Sequence, residues 1–155
     1  MSKTLQDDIH QRRPFSSPQQ EAWLNVVRTS TTLQDASEEL FKPHGITGTQ
    51  YNVLRILRGA EPEGLCRNAL RDRMLTRMPD VTRLLDRMER SGLVTRSREG
   101  TDRRMVSTQI TPVGKALLHA IDPKLMALHR SQLSHLTETQ LQAVVNLLTL
   151  IRNRP

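Results

Sequence analysis

The chain has 155 residues, 36% of them hydrophobic and 25% charged, with one cysteine and a formal net charge of +7. That length allows one ordinary domain with its own core, and a lone cysteine excludes an intrachain disulfide framework. No apolar run approaches the ~20 residues that a bilayer requires, and none follows the early charges of MSKTLQDDIHQRRP, so a reducing cytoplasm is the expected compartment.

Residues 1–16 are polar, contain proline and show no period; they read as a flexible arm. Ser17-Pro18-Gln19-Gln20 then offers an N-cap serine, a proline at the first helical position and a glutamine placed for a capping box. Trp23, Val26, Val27, Leu33, Leu40 and Phe41 keep helical spacing up to Pro43. This predicts a helix of about 24 residues, roughly 36 Å long, which suits an element that reaches into a partner subunit.

Pro43-His44-Gly45 breaks that helix. Thr47 and Gln50 make a second capping box, with Ile46 and Tyr51 spaced as a hydrophobic staple, and Val53, Leu54 and Leu57 carry the next helix to Gly59. The loop from Ala60 to Gly64 leads to a short helix containing Leu65, Ala69, Leu70 and Met74. After a four-residue connection, Leu75 to Met78, Pro79 takes the first-turn position of another helix, where Asp80 suits the helix dipole. Val81, Leu84, Leu85 and Met88 form one apolar stripe there, and Asp80, Thr82, Arg83, Asp86, Arg87 and Arg90 occupy the opposite face. Ser91-Gly92 ends the helix.

Leu93 to Glu99 and Arg104 to Thr111 read as two strands around the turn Gly100-Thr101-Asp102, and no other strand is expected. Thr111-Pro112 caps a further helix with Leu117, Leu118 and Ile121. Asp122-Pro123 kinks or restarts it, and it continues through Leu125, Met126, Leu128 and Leu133 to about Ser134. Leu136 to Leu141 repeats the capping-box-plus-staple pattern, and Leu141, Val144, Val145, Leu147, Leu148 and Ile151 follow on a helix apolar enough to need a partner.

The charge is unevenly spread. Residues 1–54 carry five basic against six acidic side chains; residues 55–104 carry thirteen against eight, all thirteen being arginine; residues 105–155 carry five against two. Arginine has the fork suited to phosphate and guanine. The order over residues 47–111 is helix, helix, short turn, helix and hairpin, that of a winged helix-turn-helix, with Leu65–Met74 supporting and Pro79–Arg90 reading the major groove. Thr76, Arg77, Asp80, Thr82, Arg83 and Arg87 are the candidate DNA-facing residues of the turn and reading helix. Arg96, Arg98, Arg103 and Arg104 are those of the hairpin, a ribbon sized for a minor groove, and Asp102 is placed to brace a neighbouring arginine at its tip. Taken alone, the arginine face is equally an ordinary solvated surface; the hairpin that follows it makes the pattern specific.

The run TRMPDVTRLLDRMERSGLVTRSREGTDRRMVSTQITPVGKALL, from Thr76, resembles the winged-helix core of the MarR family, the multiple-antibiotic-resistance-type regulators. The similarity rests on VTRLLDRMERSGLV, on Asp102–Arg104 in the wing, and on Ile110–Gly114, which matches the family's Leu-Thr-x-x-Gly. It implies a mainly α fold whose winged helix-turn-helix DNA-binding region, with a two-stranded wing, spans residues 46–111, flanked by dimerisation helices at 17–45 and 112–155. It further implies a homodimer that places one reading helix in each half of a palindromic operator, with the arginine matched by Arg104 entering the minor groove. Regulation of transcription, most often repression, is the implied function.

Members of that family commonly respond to small aromatic or carboxylate ligands, oxidants or metals. Trp23, Val27, Ser30, Tyr51 and Arg55 supply the aromatic wall, hydroxyl and cation that such an effector needs; as core residues they need no ligand at all. Cys66 is expected to be a packed or partly exposed thiol rather than a sensor, since the family's redox members carry theirs in the first helix. His10, His44, His119, His129 and His135 show no tight ligand spacing, and no phosphate loop or nucleophile motif appears, so neither metal, cofactor nor enzymatic activity is expected. The rivals are a winged-helix protein-interaction module without DNA binding, and a ligand-binding or catalytic helical bundle.

Overall fold

Thr4 starts the first helix by accepting the Asp7 backbone N–H, while the Asp7 carboxylate returns to the Thr4 N–H at 3.0 Å, a closed capping box. The computed structural model describes residues 3–98 and 106–153. It divides into two units, Met1–Thr49 and Gln50–Pro155. In the first, α1 (Leu5–Asp8) puts one helical turn into the segment expected to be an arm, and its Asp8 meets Arg28 at 2.9 Å. The 24-residue α2 (Pro18–Phe41) begins where the sequence places it. Its capping is shifted, however: Ser17 Oγ accepts the Gln20 N–H, and Gln20 Oε1 accepts both donors of Ser16 rather than reaching Ser17. A 3-10 turn, Lys42–His44, closes on Gly45 in the left-handed region at φ 68°.

The second unit takes nearly all of the following α3 (Gly48–Arg58), whose Tyr51, Val53, Leu54 and Leu57 are buried. The loop after it leads first into a strand. Leu65 and Cys66, expected to open the supporting helix, form β1 (Leu65–Cys66), and α4 (Arg67–Arg73) starts only behind them. β1 pairs antiparallel with β3 through Leu65 opposite Thr108 and Cys66 opposite Ser107. The sheet therefore has three strands in the order β1-β3-β2, not the two of a bare hairpin. Two residues are too few to show an alternation, which is why the sequence does not reveal this strand.

The reading helix α5 (Val81–Arg90) begins later than expected. Pro79 precedes it, and Asp80 is the N-cap, its Oδ1 accepting the Arg83 N–H at 3.0 Å. Val81, Leu84, Leu85 and Met88 are all buried, as their spacing demands. β2 (Val94–Arg98) and β3 (Val106–Ile110) follow in register from Val94 opposite Ile110 to Arg98 opposite Val106.

α6 (Pro112–Leu133) runs unbroken through Pro123. Its start is tied to the end of α5. The Thr111 hydroxyl accepts the Gly114 N–H at 3.0 Å and donates to the Gly92 carbonyl at 2.6 Å, while the Thr111 N–H donates to Leu93 at 3.1 Å. A Cβ on Gly114 would lie 2.5 Å from the Leu93 carbonyl oxygen, so this crossing admits only glycine. The Thr-x-x-Gly pattern is thus a cap and a close approach in one device. The last helix, α7 (Glu138–Arg152), opens on the expected Thr137–Gln140 capping box and has no buried residue. Among the described residues no helix is long and apolar enough to cross a membrane.

Candidate nucleic-acid interface

With the apolar stripe of α5 buried, its polar positions separate into two rows. At 100° per residue Arg83, Arg87 and Arg90 fall along one line, and Thr82, Asp86 and Glu89 along another about a quarter-turn away. The first row is exposed, Arg83 at 84% of its side chain. Arg83 Nε sits 3.0 Å from Asp80 Oδ2, so the N-cap carboxylate steadies the arginine one turn above it. Arg90 Nε donates back to the Asp86 carbonyl. Thr76 and Arg77 lie exposed in the turn before α5, and the backbone N–H of Leu75 there donates to Asn52 Oδ1 on α3 at 3.0 Å. Asn52 had no place in the sequence reading.

In the second row Asp86 and Glu89 face the sheet. Arg96, opposite the fully buried Thr108, turns its guanidinium onto α5: Nε donates to Glu89 Oε2 at 2.9 Å, and Nη2 donates to Glu89 Oε2 and Asp86 Oδ1, each at 2.6 Å. Glu89 Oε1 also accepts the Arg96 backbone N–H at 3.1 Å, on the outer edge of the sheet, where β2 has no neighbouring strand among the described residues. The hydrogen bonds from Arg96 hold the Glu89 carboxyl below its ordinary range, and Glu89 and Asp86 hold the guanidinium firmly protonated. Thr82 in the same row accepts from Arg67 Nη1 at 3.3 Å. Arg98 is exposed at the end of β2. Asp102, Arg103 and Arg104 lie outside the described residues.

The sequence joined Asp80, Thr82, Arg83, Arg87, Arg96 and Arg98 as one DNA-facing set. In the structure Arg83, Arg87 and Arg98 are exposed, Asp80 caps and pairs, and Thr82 and Arg96 carry bonds within the winged unit. The partners Asp86 and Glu89 were not singled out. Two carboxylates at i and i+3 inside an arginine-rich helix were the available signal.

The effector candidates belong to different units. Trp23, 64% exposed, Val27 and Ser30 are on α2, with Ser30 accepting from Gln34. Tyr51 and Arg55 are on α3 in the second unit. There the Tyr51 hydroxyl donates to Asp122 Oδ1 at 2.6 Å and Arg58 Nη1 donates to Asp122 Oδ2 at 2.7 Å, joining α3 to α6. Burial first, and then the Asp122 carboxylate, push the Tyr51 phenol up to about 12. Burial opposes charge on Asp122, yet the Tyr51 and Arg58 hydrogen bonds outweigh it and leave that carboxyl below its usual value. Cys66 is half-buried at the start of α4. No cluster of three or more metal-ligating side chains occurs among the described residues.

The comparisons agree with this architecture. The family model described as MarR family matches residues 44–105. A MarR transcription factor from Planctomyces limnophilus, solved by crystallography, is 36% identical with a TM-score of 0.67; the match covers 88% of this chain and 99% of that one. The homoprotocatechuate degradative operon repressor of Escherichia coli is 29% identical over 119 residues, spanning 74% of this chain and 79% of the repressor. The S. aureus MepR–DNA complex shares the fold at a TM-score of 0.76 and 24% identity, covering 84% of this chain and 94% of that chain. With a relative this similar along its whole length, and a winged unit built on the same helix order, the chain belongs to the MarR family of winged-helix, DNA-binding transcription regulators.

Proposed function

We propose that the chain is a homodimeric repressor that occupies a palindromic operator and is released by a small aromatic or carboxylate effector. The observation that carries this reading is the exposed arginine row Arg83, Arg87 and Arg90 on α5, whose opposite face is locked into the core. In the major groove such a row offers forks to guanine edges and to phosphates. Thr76 and Arg77 at the approach and Arg98 on β2 extend the positive surface, and the family resemblance assigns Arg103 and Arg104, outside the described residues, to the flanking minor groove. Two such units on a two-fold axis would meet half-sites whose centres lie roughly 34 Å apart. The E. coli relative named as an operon repressor supports repression as the mode, and a chromosomal operator as the ligand makes the reducing cytoplasm the place.

Selection from random-sequence DNA, followed by binding measurements on the chosen duplex, tests the proposal. Wild-type protein should enrich an inverted repeat. Arg83→Ala and Arg87→Ala should each remove about 1–3 kcal/mol of discrimination against a scrambled duplex. Arg104→Ala should weaken binding to both duplexes alike and lower the salt slope by about 1. Adding phenolic and carboxylate compounds to the same assay examines the effector. A protein-interaction module would show no enrichment and no retention on duplex DNA at about 0.15 M salt.

A further inference from the structure

Arg96 is the least exposed of the hairpin's described arginines, at 24% of its side chain, although it lies on the segment whose positive charge first suggested a wing. Three guanidinium N–H bonds end on two carboxylates of α5, and the residue's own backbone N–H ends on one of them. Glu89 therefore grips β2 by side chain and main chain together. β2 is the outer strand of the sheet, so this grip acts together with its pairing with β3 and the burial of Val94 to set where it runs. Transfer of Arg96 to a phosphate would strip Asp86 and Glu89 of their counter-charge and leave two carboxylates beside the DNA backbone. That exchange is electrostatically unfavourable, because breaking a half-buried pair costs more than an exposed contact returns.

We propose that Arg96, clamped by Glu89 and Asp86, is a positioning residue that fixes the wing strand against the reading helix and touches neither base nor phosphate. The two rows on α5 then divide the work: the basic row meets DNA, and Asp86 and Glu89 of the other row hold the hairpin at the angle that lets both meet it together. A shift of β2 along α5 would displace Arg98 relative to Arg83 and Arg87, so the clamp acts on sequence preference through geometry rather than through charge. This rests on the DNA-binding reading above.

The variants Arg96→Lys, Glu89→Gln and Asp86→Asn separate the two roles on a duplex selected by wild-type protein and on a scrambled duplex of the same length. Lysine keeps the charge but loses the fork, and the amides remove negative charge near DNA while keeping shape. For Arg96→Lys and Glu89→Gln the positioning role predicts a fall of about tenfold in the ratio of selected to scrambled affinity, the size of one base contact, with the salt slope unchanged. The double variant should lose no more than either single one. If instead Arg96→Lys binds as wild type does, Arg96→Ala lowers the salt slope by about 1, and Glu89→Gln binds as tightly as wild type or tighter, Arg96 is a phosphate contact and the inference is wrong. It is equally wrong if the variants lose thermal stability by circular dichroism yet keep the wild-type ratio, since the network then serves the fold alone. Should Arg96→Ala fail to fold, the lysine and glutamine variants still decide between these outcomes. A wild-type protein that selects no sequence overturns the DNA-binding reading itself, and the clamp's role with it.

Discussion

Tyr51, Arg58 and Asp122 show how a single carboxylate in the middle of a helix can join two elements. Asp122 receives two donors from α3, one neutral and one charged, and both reward its ionised form. Its folded pKa is depressed, so its contribution is present above the ordinary carboxylate range and is lost as pH falls through the folded value. Tyr51 titrates in the opposite sense. Its folded pKa is raised to about 12, so the neutral phenol's contribution holds below pH ~10 and fades as pH climbs toward that value. Tyr51→Phe removes one donor and leaves the ring in place; a loss of about 1 kcal/mol is expected near neutral pH. Melting curves of both proteins at pH 7 check this, and a variant that melts with wild type would place the tyrosine's value in packing rather than in the hydrogen bond.

At the scale of elements, the junction between α5 and α6 is where the MarR-like motif earns its residues. Gly114 crosses the Leu93 carbonyl with no room for a Cβ, and Leu54 and Ile110 close the other sides. Gly114→Ala should destabilise by about 1–3 kcal/mol through overpacking, readable as a lowered urea midpoint with an unchanged m-value. A wild-type midpoint would mean that the helix slides to accommodate the methyl. Of this junction only the Thr111–Pro112 cap was legible from the residues themselves, because a cap and a proline at N1 are local; Gly114 entered through the family resemblance, since the Leu93 carbonyl it approaches lies before both hairpin strands. Local reasons likewise made the Ser17 start of α2, the apolar stripe of α5 and the Thr137 box legible. What escaped the sequence depends on a partner distant in the chain. β1 exists only because β3 offers it an edge, and the polar face of α5 divides only once β2 lies beside it; the Asp80 N-cap, by contrast, is a local bond to the Arg83 N–H that the proline just before it obscured. Exposure of Arg83 and Arg87 followed from the stripe opposite them. The commitment of Arg96 did not, since no spacing rule shows which of two arginines on a strand a helix seven residues back will take.

For the whole molecule the deciding feature is α7. None of its residues is buried, yet Val144, Leu147 and Ile151 lie on one stripe at i, i+3 and i+7, and Leu147 and Leu150 are 61% and 70% exposed. Fully covering a side chain of this kind contributes about 1.5–3 kcal/mol, so an isolated chain leaves a large driving force unused. A second copy of the chain is the proposed cover, and it is also what a two-fold operator needs. Leu147→Glu places a charge on that stripe at a side chain the single chain leaves mostly in solvent, so the monomer's own fold should tolerate it. Sedimentation equilibrium should find wild-type protein as a dimer and the variant as a monomer, and the melting temperature should rise with concentration only for wild type. Because a monomer holds one half-site at a time, the variant's affinity for the full operator should drop by about 100-fold or more, while an isolated half-site should bind both proteins alike. A variant that sediments as wild type would remove α7 from the subunit interface; one that becomes monomeric and keeps full operator affinity would remove the dimer from recognition.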